Sequence, residues 1–233
     1  MRDRIIVITG SRKGIGRHLA ETFVNRGWIV YGCSREPSDL QHDLYTHVCL
    51  DVADEGAVKR LFADVRGRHQ RLDALINNAG IASMNLALMT PIATLERVLR
   101  TNVIGTFLFS REAIKLMRKN GSGRIVNFST IAVPLKLEGE SVYVASKAAV
   151  EGMTGVLAKE CAPYGITVNT VGPPPIDTDL VRGVPAENLK TRVLDRLAFP
   201  RFGDVNGLIH AIDFFLGDEA DLVTGQTLYY GGV

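Results

Sequence analysis

Short, continuous apolar runs alternate along the chain with longer segments in which apolar residues recur every three or four positions. The run I-I-V-I-T at 5–9 is typical of a strand buried on both faces of a parallel sheet. Further strands are predicted at 28–33, 46–50, 72–76, 124–128, 166–171 and 226–229. The intervening periodic segments predict helices at 15–25, 55–68, 141–164, 179–197 and 205–216, and one or two helices over 95–117. This alternation predicts an α/β fold, a doubly wound parallel sheet of about seven strands with helices on both faces.

No linker divides the alternating pattern, so we expect one domain over 1–233. The proline run at 173–175 breaks the chain before the predicted helix at 179–197. Charged residues of both signs dominate 182–196, which makes this segment too polar for the core. We expect it to form a helical lid over a substrate, around 178–200.

Composition narrows the possible function. Of 233 residues, 46% are hydrophobic and 22% charged, which favours a large core and argues against disorder. The net charge of +2 gives no indication of a nucleic-acid partner. The first apolar run is too short for a signal peptide or a membrane span, so we expect a cytoplasmic protein without a membrane partner. Cys33, Cys49 and Cys161 lack metal-ligand spacing and are expected to be buried reduced thiols, with no metal site.

A glycine-rich segment follows the first predicted strand and opens the first helix. It reads G-S-R-K-G-I-G and comprises Gly10, Ser11, Arg12, Lys13, Gly14, Ile15 and Gly16. A strand, such a loop, a helix and a second strand form a unit in which backbone amides and a helix N-terminus can meet a pyrophosphate. The spacing G-x-x-x-G-x-G differs from G-x-G-x-x-G, so the strand–loop–helix context carries the prediction of dinucleotide binding.

The end of the second strand indicates which dinucleotide is bound. A carboxylate there would bind the ribose 2′-hydroxyl of NAD, whereas this chain has Ser34 and Arg35. Together with Arg12 and Lys13, Arg35 provides cations for a 2′-phosphate, which favours NADP(H). Solvated surface charge is the alternative, and it is strongest for Arg12.

Tyr143 and Lys147 lie four residues apart in a predicted helix, on one face. An ammonium group beside a phenol is expected to lower the phenol pKa and so to provide a proton donor or acceptor near neutral pH. An ordinary surface pair is the alternative.

These pieces, taken together, resemble the short-chain dehydrogenase/reductase family over essentially the whole chain. The matching segments are T-G-S-R-K-G-I-G at 9–16, D-V at 51–52, N-N-A-G at 77–80, Asn102, Y-V-A-S-K at 143–147 and I-D-T at 176–178. The resemblance implies hydride transfer between a nicotinamide and a carbonyl or alcohol carbon. Tyr143 would exchange the proton with the substrate oxygen, Lys147 would hold the ribose hydroxyls, and Asn102 would position a water in a proton relay. The other implied cofactor contacts are Asp51, Val52, Asn78, Ala79, Gly80, Pro173, Ile176 and Thr178.

The family also has a serine that polarises the carbonyl, and its spacing from the tyrosine falls on Thr130. Ser129 is one residue away, which on an extended chain places its side chain on the opposite face. We therefore predict Thr130 as the catalytic hydroxyl. Pro174 occupies a position where the family often has glycine, and a proline there removes an amide beside the nicotinamide pocket.

We expect an NADPH-dependent reductase of the 3-oxoacyl-carrier-protein or small carbonyl reductase type. Its substrate would be a 3-oxoacyl thioester or another ketone; a small carbonyl, a sugar or a secondary alcohol is the alternative substrate. A protein that binds NADP without catalysis is the alternative function, with Thr130 and Pro174 as marks of decay. The resemblance also implies a homo-oligomer, either dimer or tetramer.

Overall fold

In a computed structural model, residues 3–178 and 186–233 are described, and they form one seven-stranded sheet flanked by helices. The strands are β1 (Ile5–Thr9), β2 (Ile29–Ser34), β3 (Tyr45–Cys49), β4 (Ala74–Asn77), β5 (Gly123–Phe128), β6 (Ile166–Gly172) and β7 (Thr227–Tyr229). Their order is β3-β2-β1-β4-β5-β6-β7, and every neighbouring pair is parallel. All carboxyl ends of the strands therefore lie at one edge, where such sheets bind ligands.

Eight α-helices belong to the described part of the chain. They are α1 (Gly14–Asn25), α2 (Glu55–His69), α3 (Ile92–Leu99), α4 (Gly105–Asn120), α5 (Ala132–Leu135), α6 (Ser141–Cys161), α7 (Ala186–Arg192) and α8 (Val205–Leu216). A π-helical segment, Arg100–Ile104, joins α3 to α4. Short 3₁₀ turns lie at Ala87–Met89, Ala162–Tyr164, Leu194–Arg196 and Asp218–Ala220.

The side chains of the strands alternate between two cores. Ile5 and Val7 of β1 pack in one core with α2, α4 and α6, whereas Ile6 and Ile8 pack in the other with α1 and α8. Both faces of the sheet are covered, which explains why the strands are apolar without interruption. A third, smaller cluster joins Ile131 and Leu137 to residues 189–197, above the carboxyl edge.

The predicted α/β fold and its strand–helix order are confirmed, and three details differ. Of the one or two helices predicted over 95–117 the structure has two, α3 and α4, joined by the π-helical segment. The helix predicted at 141–164, in contrast, ends in a 3₁₀ turn. Of the helix predicted at 179–197, residues 179–185 lie outside the described residues; the remainder forms α7 and a 3₁₀ turn, and the lid stays a prediction. Cys49 is exposed rather than buried, because β3 is an edge strand. Among the described helices, none is long and apolar enough to cross a membrane.

Candidate active site

Two adjoining cavities open along the carboxyl edge of the sheet. The glycine-loop cavity, of ≈ 510 Å³, is lined by the β1–α1 loop and the ends of β2 and β4. The Tyr143 cavity, of ≈ 490 Å³, is lined by the end of β5, the start of α6 and the segment after β6. Residues lining both cavities are Ile15, Asn78, Gly80, Ile81 and Thr178, so the two form one continuous groove.

The β1–α1 loop requires its glycines, because its backbone has positive φ angles and packs closely against itself. Gly10 and Gly14 have positive φ angles of 69° and 56°, which favour glycine. A Cβ at Gly16 would lie 2.2 Å from the Gly10 carbonyl oxygen. Asn78 holds this turn from β4, since its Nδ2 donates to the Thr9 carbonyl oxygen at 2.9 Å. The glycines thus allow the tight turn that precedes α1, at whose N-terminus a pyrophosphate could bind.

The corner beyond β2 is positively charged. Arg12, Lys13, Ser34 and Arg35 all line the glycine-loop cavity. Arg12 is engaged by an ion pair of 2.7 Å with Glu36. Arg35 is exposed and forms no ion pair within the described residues. Arg35 is therefore the better placed of these two arginines for an incoming phosphate.

A hydrogen-bonded chain behind this corner was missed by sequence reasoning. Ser11 Oγ bonds the Tyr45 hydroxyl at 2.9 Å, Tyr45 bonds His47 Nδ1 at 2.9 Å, and His47 Nε2 bonds Ser34 Oγ at 3.0 Å. Gly32 makes room for it, because a Cβ there would lie 2.2 Å from Ser11 Oγ. The only signal in the sequence was the two-residue spacing of Tyr45 and His47, which places them on one face of β3.

Asp51 and Val52, which follow β3, differ in their exposure to solvent. Asp51 is exposed, and its Oδ1 accepts a hydrogen bond of 2.8 Å from the Ala53 amide. Val52 is buried against Gly105, where a Cβ would lie 2.7 Å from a Val52 methyl carbon. Both line the glycine-loop cavity, as does Ala79.

Asn102 lies in the π-helical segment and is completely buried. Its Oδ1 accepts from the Ile81 amide at 2.9 Å, and its Nδ2 donates to the Ile81 carbonyl at 3.0 Å and to Ser146 Oγ at 2.9 Å. A Cβ at Gly80 would lie 3.3 Å from both Asn102 Oδ1 and Lys147 Nζ. Asn102 therefore fixes the β4 loop to α6 behind Lys147. π-Helical segments of this kind are frequent at functional sites.

Tyr143 and Lys147 project from α6 into the second cavity, but their electrostatics differ from the prediction. Burial, with a further contribution from the charge of Glu140, raises the pKa of Tyr143 to about 12. Burial lowers the pKa of Lys147 to about 8. Lys147 Nζ donates to the Phe128 carbonyl oxygen at 2.8 Å, so its contact is with β5. The predicted lowering of the Tyr143 pKa by Lys147 is thus wrong, because desolvation of the phenol raises this pKa.

The two hydroxyls after β5 have different partners. Thr130 Oγ1 accepts a hydrogen bond of 3.2 Å from the Ala132 amide, and the Thr130 hydroxyl opposes the rise in the pKa of the Tyr143 phenol. Ser129 is buried and donates instead to Glu151 Oε1. Tyr229 of β7 donates to the same Glu151 oxygen at 2.8 Å. Glu151 and Tyr229 were not anticipated from the sequence, although Glu151 follows Lys147 by one helical turn.

The proline segment after β6 is packed against glycines. A Cβ at Gly203 would lie 2.7 Å from Pro174 Cγ, and one at Gly231 would lie 3.1 Å from it. Pro174 and Ile176 are both buried, and both contribute to the wall of the Tyr143 cavity. Glycines that face the ring thus accommodate the proline.

The groove brings most of the predicted site together. In addition to the residues already placed, Pro173 lines the Tyr143 cavity, and Thr178 stands beside Gly14. Ser11 and Asn102 are fully buried behind the walls. Thr101 and Glu140 line the groove and were not predicted to do so. The described residues contain no group of three or more His, Cys, Asp or Glu that could hold a metal ion.

Comparison with known proteins identifies the class. The family model for short chain dehydrogenases matches residues 4–189. This chain therefore belongs to the short-chain dehydrogenase family of oxidoreductases, as the sequence motifs indicated.

Individual relatives are similar over nearly their full lengths. The 3-oxoacyl-(acyl-carrier-protein) reductase FabG of Escherichia coli K12 is 31% identical over 235 residues, which cover 98% of this chain and 96% of the relative. The structure of ElxO with NADP bound has a TM-score of 0.89 at 28% identity, covering 98% of this chain and 97% of the other. A variant of actinorhodin polyketide ketoreductase with NADPH has a TM-score of 0.90 at 27% identity, covering 99% and 96%.

Proposed function

We propose that this protein is an NADPH-dependent reductase that converts a ketone, or the keto group of a 3-oxoacyl thioester, into an alcohol. The observation that carries the proposal is that Thr130, Tyr143 and Lys147 line one cavity, which is continuous with the glycine-loop cavity. One end of the groove fits a dinucleotide, and the other presents a proton donor to a carbonyl.

The residues of the groove fit NADP(H). Gly10, Gly14 and Gly16 line the cavity in which a pyrophosphate would lie, and a Cβ at Gly16 would break the close packing of this loop against the Gly10 carbonyl oxygen. Arg35, with Lys13, would bind the 2′-phosphate, and the chain through Tyr45 and His47 would hold Ser34 in position. The presence of NADP and NADPH in the two structural relatives agrees with this assignment. When bound, the reduced nicotinamide supplies the hydride.

Tyr143 would act as the general acid. Because its pKa is about 12, the phenol is protonated at neutral pH, which is the form needed to donate to the carbonyl oxygen. The Thr130 hydroxyl, held beside the phenol, would polarise the same oxygen and orient the carbonyl. The alcohol oxygen then carries the proton from Tyr143, and the phenolate must be reprotonated before the next turnover.

Lys147 and Asn102 would support that proton return. Lys147 is buried, and its position between Asn102 and the end of β5 suits contact with ribose hydroxyls. Asn102 holds Ile81 and Ser146 and so fixes the backbone around Lys147. We infer that the proton reaches Tyr143 along this side of the cavity.

Two substrate classes are consistent with the family. Similarity to FabG favours a 3-oxoacyl thioester, whereas a small carbonyl, a sugar or a secondary alcohol is the alternative. Residues 179–185 of the predicted lid, the homo-oligomeric state and the cytoplasmic location stay predictions.

The test is NADPH consumption by the purified protein with a panel of ketones and 3-oxoacyl thioesters, with NADH as the matched cofactor control. We expect turnover with NADPH on at least one carbonyl class and weaker turnover with NADH. Tight NADPH binding without turnover on any carbonyl would instead support a protein that binds NADP without catalysis.

A further inference from the structure

A buried carboxylate in the Tyr143 cavity has no role in the mechanism above. Glu140 is 9% exposed and lines this cavity. Its side chain has no hydrogen bond or ion pair to any of the described residues. Burial alone therefore acts on it, and raises its pKa to about 7.

Another buried carboxylate of this protein, unlike Glu140, is held by ion pairs. Glu112 is also 9% exposed, and it is bound by Lys115 at 2.7 Å and by Arg111 at 2.9 Å. Burying a charged group without such partners is unfavourable. Glu140 thus resembles a group whose partner arrives with a ligand.

The position of Glu140 relates it to the reacting centre. It directly precedes α6 and lies one helical turn before Tyr143. Glu140 and Tyr143 line the same cavity, and the charge of Glu140 raises the Tyr143 pKa. A substrate whose carbonyl oxygen meets Tyr143 would place its adjacent carbons near Glu140.

We propose that Glu140 binds a hydroxyl group next to the reacting carbonyl, so that the preferred substrate is a hydroxy ketone. This inference rests on the proposed reductase function and selects among its substrates. A hydroxyl can donate to the carboxylate and can also accept from the carboxylic acid, so both forms of Glu140 bind it.

Other substrate groups suit this site less well. An ammonium would bind only the carboxylate form, and it would face the Lys147 and Arg192 cations that line the same cavity. The reacting end of a 3-oxoacyl thioester offers carbonyl oxygens, which can accept from the carboxylic acid form of Glu140 but cannot donate to its carboxylate form. An unsubstituted alkyl chain would cover Glu140 without satisfying it.

The test compares kcat/KM for two ketones of the same size, α-hydroxyacetophenone and propiophenone, with NADPH. Replacing hydroxyl by methyl leaves the aromatic ring unchanged. We expect Glu140→Leu to lower the hydroxyl-to-methyl ratio about tenfold or more, and Glu140→Gln, which keeps polar groups, to retain most of it. Glu138→Leu is the matched control, because Glu138 is an exposed carboxylate lining the same cavity, and it should leave the ratio unchanged.

A second measurement, product inhibition, uses only the wild-type protein and so does not depend on whether a variant folds. Phenylethanediol, the product diol, should inhibit the wild-type protein about tenfold more tightly than phenylpropanol. A ratio that Glu140→Leu leaves unchanged, an equal loss in Glu138→Leu, or tighter inhibition by phenylpropanol would overturn the role of Glu140 while the reductase function stands. Failure to reduce any ketone despite NADPH binding would overturn the proposed function itself.

Discussion

Thr130 and Tyr143 line the same cavity, where the Thr130 hydroxyl opposes the rise in the pKa of the Tyr143 phenol. The neighbouring Ser129 has a different role, since its hydroxyl donates to Glu151. Alternation of side chains along extended backbone separates the two hydroxyls. The Thr130 hydroxyl faces the cavity of the proposed reaction, and the Ser129 hydroxyl joins the end of β5 to α6.

Thr130→Ala should lower kcat about a hundredfold, because the carbonyl would lose a hydrogen bond that strengthens as charge develops on its oxygen. Ser129→Ala should leave kcat within about threefold and instead lower the free energy of unfolding by about 1–3 kcal/mol, since a buried Glu151 contact is lost. Steady-state kinetics and urea unfolding measure the two effects. Thr130→Ser is the control and should keep most of the activity; a larger loss of kcat in Ser129→Ala than in Thr130→Ala would refute the assignment.

Arg35→Asp should change cofactor preference from NADPH toward NADH. The carboxylate repels a 2′-phosphate and can accept a hydrogen bond from a 2′-hydroxyl. The ratio of kcat/KM values for the two cofactors should fall at least about tenfold. Arg12→Gln is the comparison and should have the smaller effect, because Arg12 is already paired with Glu36. An unchanged ratio in Arg35→Asp would show that other residues bind the phosphate.

Glu140 should make the stability of the protein depend on pH. Its pKa of about 7 in the folded protein exceeds the ordinary value of 4.5, so its contribution is present below the ordinary value and is lost as pH rises through about 7. Between about pH 5 and about pH 8 the wild type should lose about 2–3 kcal/mol of unfolding free energy that Glu140→Gln retains. Urea unfolding of both proteins at the two pH values measures this difference. Parallel pH dependence in both proteins would contradict it.

The fold followed from sequence because its signals were local and repeated. Apolar runs buried on both faces marked the strands, and the glycine loop after β1 marked the carboxyl edge. The π-helical segment within 95–117 could not be foreseen, since the backbone around Asn102 is held by hydrogen bonds to Ile81 and Ser146, which are distant in sequence.

The sequence predicted which residues form the site better than it predicted their pKa values and contacts. Helical spacing paired Tyr143 with Lys147, and the family resemblance added Thr130, but the pKa of Tyr143 depends on burial by segments far along the chain. The importance of Glu140 rests on its lack of a partner in the folded cavity, and no sequence pattern signals that. Tyr45 and His47 gain their contacts only because Gly32 allows Ser11 to approach across the β2–β3 pair.

Tyr143→Phe should abolish turnover and retain cofactor binding. Removing the proton donor should lower kcat by about 10²–10⁴-fold, because the carbonyl oxygen would develop charge without protonation. The dissociation constant for NADPH, followed by its fluorescence, should change by less than about threefold. Undiminished kcat in this variant would exclude Tyr143 as the acid.

Transfer of deuterium from NADPH labelled at C4 of the nicotinamide tests the central proposal most directly. With wild-type protein and a reducible ketone, mass spectrometry should find one deuterium on the carbinol carbon from one of the two C4 stereoisomers and none from the other. Tyr143→Phe should form no labelled alcohol above background at equal NADPH occupancy. Absence of label from both stereoisomers with the wild type, while the alcohol is still formed, would contradict direct hydride transfer in this groove.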